Sequence, residues 1–69
     1  MKITVGQTIK QLRLEKGLTQ QQVADALKMD RGNFGKYERD RLEFGYEMLV
    51  ALSKLFGVTC GQLLGTEDL

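Results

Sequence analysis

Residues 18–40, LTQQQVADALKMDRGNFGKYERD, read as two short helices joined by a tight turn. Val23, Ala24 and Leu27 recur at the spacing of one helical face. Phe34 and Tyr37 resume that spacing after the break at Lys28-Met29. Thr19 stands where the first of these helices needs an N-cap, and Gln22, three residues on, completes a capping box. Asp30 is the first residue able to cap the second.

The rest of the chain is punctuated in the same way. Met1 to Val5 reads as a lead-in, and Thr8 to Leu14 as the body of a first helix with Val5, Ile9 and Leu12 at helical spacing. Gly17 falls where that helix should end, because glycine takes the left-handed conformation cheaply. Asp40 ends the third helix, and residues 41–46, RLEFGY, form a connecting loop. A fourth helix starts at Tyr46 or Glu47, with Leu49, Leu52 and Phe56 sharing a face and Val50 and Leu55 flanking it. Gly57 stops it, Thr59 opens a short fifth helix through Gln62 to Leu64, and Gly65 to Leu69 is expected to be loose. There is no Pro, internal repeat, low-complexity segment or linker. The expected fold is therefore all-α, a compact bundle of five helices, with one domain over residues 1–64 and a short flexible tail over 65–69.

Charge is unevenly spread. The net charge is only +1, yet residues 1–41 hold nine Lys/Arg against five acids, for +4, and the remainder sums to −3. A basic half carrying the paired helices suits a surface that faces phosphates, although a solvated charged surface with no partner has the same composition. Sixty-nine residues make one small domain. At that size folding buries only about 60% of the unfolded surface, so the core must be efficient or helped by association. No apolar run approaches the roughly 18 residues of a membrane span, and no secretory leader is visible. The single Cys60 has no disulfide partner in the chain and reads as a reduced thiol. These features together lead to a cytoplasmic expectation with no membrane partner.

Placed at 100° steps, residues 31–39 separate into two faces. Phe34, Tyr37 and Glu38 point one way, the aromatic pair as core anchors. Gly32, Gly35, Lys36 and Arg39 point the other way, with Arg31 at the margin, and nothing on that side is large and apolar. Two glycines on one exposed helical face cost about 0.8–1 kcal/mol each relative to Ala. One explanation is steric: a helix without side chains at 32 and 35 sits deeper in a DNA major groove, where Arg31 and Lys36 reach guanine O6/N7 and Asn33 a base edge or phosphate. The other is drift on a surface that nothing touches. A GxxG loop of the KH type needs a sheet, and no strand pattern is present.

Ile9, Leu12-Arg13, Gly17-Leu18-Thr19-Gln20, Val23-Ala24, Leu27, Phe34, Tyr37-Glu38, Leu49, Leu52, Gly57-Val58 and Leu63-Leu64 together resemble the phage-repressor/Cro-type (XRE) helix-turn-helix family. The resemblance runs from about Gly6 to Leu64. It implies a lambda-repressor-like five-helix bundle that docks its third helix in the major groove, with double-stranded DNA as partner and a homodimer on a two-fold operator. Carried over by position, Asp30, Arg31, Gly32, Asn33, Gly35 and Lys36 fall on base-reading or flanking positions, and Gln20, Gln21, Arg39 and Arg41 on phosphate-contacting ones. For Gln20, both its amide and the start of its helix would meet a phosphate oxygen. Arg13 and Glu38 match a pair that in many relatives forms a partly buried, structural ion pair. Dimer contact is expected from Glu47, Val58, Thr59 and Cys60, with Phe44 nearby.

The departures from the family pattern are specific. Lys28 stands in the turn where the family prefers Gly, so a strained left-handed conformation is expected there. Asp40 replaces another usual Gly, a milder change because Asp tolerates that region. Asp30 repels phosphates but accepts from a cytosine amine, which would make it a specificity element. The bare positions 32 and 35 reduce direct readout, so modest specificity per half-site and dependence on dimerisation are expected.

Several classes are excluded. With no His, there is no histidine base, Ser–His triad or His metal site, and one Cys does not make a zinc site. Ser53 has no base near it in sequence. No enzyme activity, cofactor, metal or small-molecule ligand is expected, and no effector domain beyond the fifth helix. The leading expectation is a sequence-specific DNA-binding transcriptional regulator, with the repressor type favoured by the resemblance. The competing one is a protein-interaction module that keeps the fold with weakened DNA readout, suggested by the two glycines and by Leu42 and Phe44, expected to be exposed.

Overall fold

A computed structural model describes residues 3–66. Its helices are α1 (Val5–Glu15), α2 (Gln20–Ala26), α3 (Arg31–Glu38), α4 (Tyr46–Phe56) and α5 (Cys60–Leu64), with no strand among the described residues. Local chemistry explains where each begins. Thr4, Thr19 and Thr59 each accept the amide of a glutamine three residues on, and that glutamine reaches back to the cap's own N–H. These reciprocal bonds satisfy two donors of the first turn at once. At α3 the Asp30 carboxylate accepts the Gly32 N–H at 2.9 Å. The α4 helix starts after Gly45 without a side-chain cap and carries Glu47 in its first turn, where a negative charge suits the helix dipole.

The helix ends share one solution. After α1, Gly17 turns to φ 69°, its N–H donates to the Leu14 carbonyl and the Leu18 N–H to that of Arg13. The same paired bonds close α2 through Lys28 and Met29, and α3 through Asp40 and Arg41. Lys28 and Asp40 both stand at φ 58°, the left-handed conformation that L side chains ordinarily avoid. The turn between α2 and α3 is thus held by its own carbonyls, with half-buried Met29 pointing back toward the core.

Ile9 and Leu12 of α1, Val23 and Ala24 of α2, Phe34 of α3, Leu52 and Phe56 of α4 and Leu63 of α5 form one buried core. The α1 helix packs on α3, α4 and α5, while α2 packs on α3. Close approach explains Gly6. A Cβ there would lie 2.6 Å from the backbone carbonyl oxygens of both Tyr37 and Glu38, so the first turn of α1 and the last turn of α3 meet with no room for a side chain.

Three boundaries differ from the sequence reading. The first helix extends the expected body Thr8–Leu14 back to Val5, because Thr4 and Gln7 form a capping box there. Val5 is therefore helical, while residues 1–2 of the expected lead-in lie outside the described residues. The third helix ends at Glu38, with Arg39 and Asp40 as its cap. Gly65 and Thr66, placed in the loose tail, are tied back: their amides donate to the carbonyls of Gln62 and Gly61 at 3.3 and 2.8 Å. Residues 67–69 of that tail lie outside the described residues.

Candidate nucleic-acid interface

The outer side of α3 and its flanks bring together four cations that have no acidic partner, a lack they share with Lys10, Lys16, Lys28 and Lys54 elsewhere among the described residues. Arg31, Lys36, Arg39 and Arg41 are exposed, and none of their side chains makes an ion pair among the described residues. Asn33 is exposed beside them, and Asp30 is exposed but engaged by its cap bond to Gly32. Gly32 is open except toward that carboxylate, 2.9 Å from where a Cβ would sit. Positive charge held at the surface without an internal counter-ion leaves the favourable electrostatic interaction to an outside anion.

Gly35 departs from the sequence reading. It is buried, not part of an exposed face. A Cβ at 35 would meet Arg39 Nη1 at 3.5 Å and the Gln20 side-chain amide at 3.8–3.9 Å. The heads of Arg39 and Gln20 converge over this glycine and cover it. Helical periodicity assigns a residue to an angular sector, but not the neighbouring side chains that fold across it.

Behind α3 lies the internal support. Arg13 at the end of α1 grips Glu38 through two bonds, Nε to Oε2 at 2.6 Å and Nη2 to Oε1 at 3.2 Å. Its remaining Nη1 donates to the Leu18 carbonyl at 2.9 Å, in the segment that leads into α2. The side chains are only 9% and 2% exposed, so the pair that the family resemblance implied is formed here and is buried. Gln20 adds a third donor to Glu38, Nε2 to Oε1 at 2.8 Å. One carboxylate thus joins α1, α2 and α3, which fixes the angle between the paired helices. Gln20 is consequently half-buried, with one amide proton engaged internally. Gln21 is exposed and donates to Asp25 at 2.8 Å, one turn on.

Of the expected dimer residues, Glu47 is exposed in the first turn of α4, whereas Val58, Thr59 and Cys60 follow its last turn and begin α5. Thr59 is exposed, and Val58 and Cys60 are half-buried. Phe44 is not exposed as expected: its ring packs on Tyr37 at 5.0 Å between centroids, tilted by 53°. Leu42 remains exposed. Among the described residues no group of His, Cys, Asp and Glu is arranged to hold a metal ion, and no helix is long and apolar enough to cross a membrane. Sequence reasoning missed the part played by the Asp40 side chain, which accepts from the Thr4 hydroxyl and, at 3.0 Å, from the Gly6 N–H. The only signal for it was an Asp where glycine is usual.

Residues 9–63 match the helix-turn-helix family HTH_3. The HTH-type transcriptional regulator ImmR of Bacillus subtilis (strain 168) is 32% identical over 66 residues, which are 96% of this chain and 52% of that protein. The immunity repressor protein of Bacillus phage phi105 is 36% identical over 67 residues, 97% of this chain and 46% of that protein. The chain thus spans about half the length of these relatives. Among solved structures, the P22 c2 repressor in complex with a synthetic operator superimposes with a TM-score of 0.86 at 23% identity, covering 96% of this chain and 100% of that one. The clp gene regulator ClgR from C. glutamicum gives 0.78 at 25% identity, covering 86% and 77%. Among the described residues, the five-helix, strand-free architecture is that of these repressor and regulator structures.

Proposed function

Because the chain belongs to the helix-turn-helix family HTH_3, we propose that it is a sequence-specific, double-stranded DNA-binding transcriptional regulator, of the repressor type, that docks α3 in the major groove as a homodimer. The observation that carries this reading is the set of unpaired cations on and beside α3, Arg31, Lys36, Arg39 and Arg41, on a helix braced from behind by a buried ion pair. A rigid helix presenting uncompensated charge suits phosphates on both sides of a groove and base edges between them. The relatives named above are regulators of transcription, in agreement with a regulatory rather than an enzymatic role.

In this reading Arg31, Asn33 and Lys36 read bases. Asp30 discriminates through a cytosine amine, and Gly32 leaves the groove floor clear. Arg39, Arg41 and Gln21 contact phosphates, and Gln20 offers the amide proton that Glu38 does not use. Gly35, covered by Gln20 and Arg39, supports those two side chains rather than admitting a base. Glu47, Val58, Thr59 and Cys60 form the contact between protomers, and the operator is an inverted repeat with half-site centres about 10–10.5 bp apart.

The test is selection from random duplex DNA by the purified protein at near-physiological salt. A recovered two-fold motif, with affinity falling steeply as salt rises, is the expected result. Salt-sensitive binding without a motif would leave a non-specific binder. Absence of binding would refute the proposal and turn attention to the protein-interaction reading, for which Leu42 remains exposed but Phe44 does not.

A further inference from the structure

Asp40 occupies the left-handed position that closes α3, where a side chain costs conformational energy, and its carboxylate crosses to the start of α1. There it accepts the Thr4 hydroxyl and the Gly6 N–H, one of the amides that the first turn of α1 leaves without a helical partner. The same spot is where α1 and α3 approach so closely that Gly6 has no room for a Cβ. Seven residues further along α1, Arg13 holds Glu38. At a rise of 1.5 Å per residue the two attachments stand about 10 Å apart along α1. The Glu38 network and the buried Phe34 hold the body of α3, and a second attachment at that lever arm resists rotation of its C-terminal end about them.

The geometry points to Asp40 as a positioning residue for the DNA-reading helix: it locks the end of α3 to α1 and thereby sets where Arg39, Arg41 and the outer face of α3 stand. The backbone amide of Arg41 is drawn into the same turn, donating to the Lys36 carbonyl at 2.9 Å. This inference rests on the DNA-binding reading. It also accounts for a carboxylate kept between two arginines on a surface meant for phosphates, a placement that opposes binding by charge alone.

That opposition makes the test one of sign. Asp40→Asn and Asp40→Gly both remove the negative charge, and both residues tolerate the left-handed conformation. Asn keeps an acceptor for the Gly6 N–H, whereas Gly keeps none. Affinities for a selected duplex are measured well below the melting temperature of each variant. Asp40→Asn is expected to bind as tightly as the unsubstituted chain or more tightly, through the loss of repulsion. Asp40→Gly is expected to bind about tenfold more weakly, the order expected for losing bonds that orient the reader. Equal affinities for the two variants would overturn the inference.

Backbone amide shifts and hydrogen exchange in the free protein provide a readout that needs no DNA. Asp40→Gly should lose exchange protection at Gly6 and shift the amides of residues 36–41, and Asp40→Asn should restore both. If the unsubstituted chain selects no duplex but these changes appear, the DNA reading fails while the lock between α1 and α3 stands. If they are absent, the lock itself is refuted.

Discussion

Glu38→Gln tests the bracing of α3 most directly. The Glu38 side chain is 2% exposed and accepts from Arg13 Nε, Arg13 Nη2 and Gln20 Nε2. Gln at 38 keeps the shape, but it removes the charge and turns an amide donor toward groups that are themselves donors. The Arg13 guanidinium, 9% exposed, is left without its counter-ion. Breaking one partner of a buried pair costs about 3–5 kcal/mol. A chain of 69 residues at roughly 0.05–0.15 kcal/mol per residue has only about 3–10 kcal/mol in total, so the variant sits near the edge of folding. In urea, with a slope of about 1 kcal/mol/M at the low end for small proteins, the midpoint should fall by about 3 M, or the folded baseline should vanish. Arg13→Met/Glu38→Leu removes both charges and returns the Gln20 amide to solvent, although the Leu18 carbonyl loses one bond. Apolar replacement of a buried pair is often neutral or stabilising, so the double variant should recover to within about 1–2 kcal/mol of the unsubstituted chain. A Glu38→Gln cost below about 1 kcal/mol, the range of exposed pairs, with simple additivity in the double variant, would refute the reasoning.

Gly6→Ala forces a Cβ to within 2.6 Å of two backbone carbonyl oxygens, and urea unfolding should show a loss of about 1–3 kcal/mol, as for overpacking elsewhere. Gly35→Ala meets only ordinary contact at 3.5 Å and gains helix propensity, so thermal melting should rise by about 4–8 °C. Its duplex affinity should be unchanged, and a large loss would favour the explanation in which position 35 is kept bare for the groove floor. Lys28→Gly relieves a left-handed side chain at φ 58°. The relief of about 1–2 kcal/mol exceeds the added unfolded-state entropy of about 0.4–1 kcal/mol, and a thermal melt should show net stabilisation.

What the sequence determined by itself was local. Thr19 with Gln22, Thr59 with Gln62, and Asp30 before a helix are caps because their hydrogen bonds span only two or three residues. Thr4 and Gln7 carry the same three-residue signal, and it fixes the start of α1 at Val5. Periodicity identified Ile9, Leu12, Val23, Ala24, Phe34, Leu52 and Phe56 as core because burial follows the helical repeat. It also placed Arg31 and Lys36 outward. The pairing of Arg13 with Glu38 came from family resemblance, since residues 25 apart carry no local sign of contact.

Only the tertiary structure decided the rest. Gly35 is buried because Gln20 comes from another helix and Arg39 folds back across it. Phe44 is covered because its loop returns the ring to Tyr37. Gly6 is required, and Asp40 accepts from Thr4 and Gly6, because the end of α3 is brought against the start of α1. Each of these depends on how rigid helices cross. Crossing is set by the fit of many side chains at once, and a pattern read along one helix at a time does not contain it.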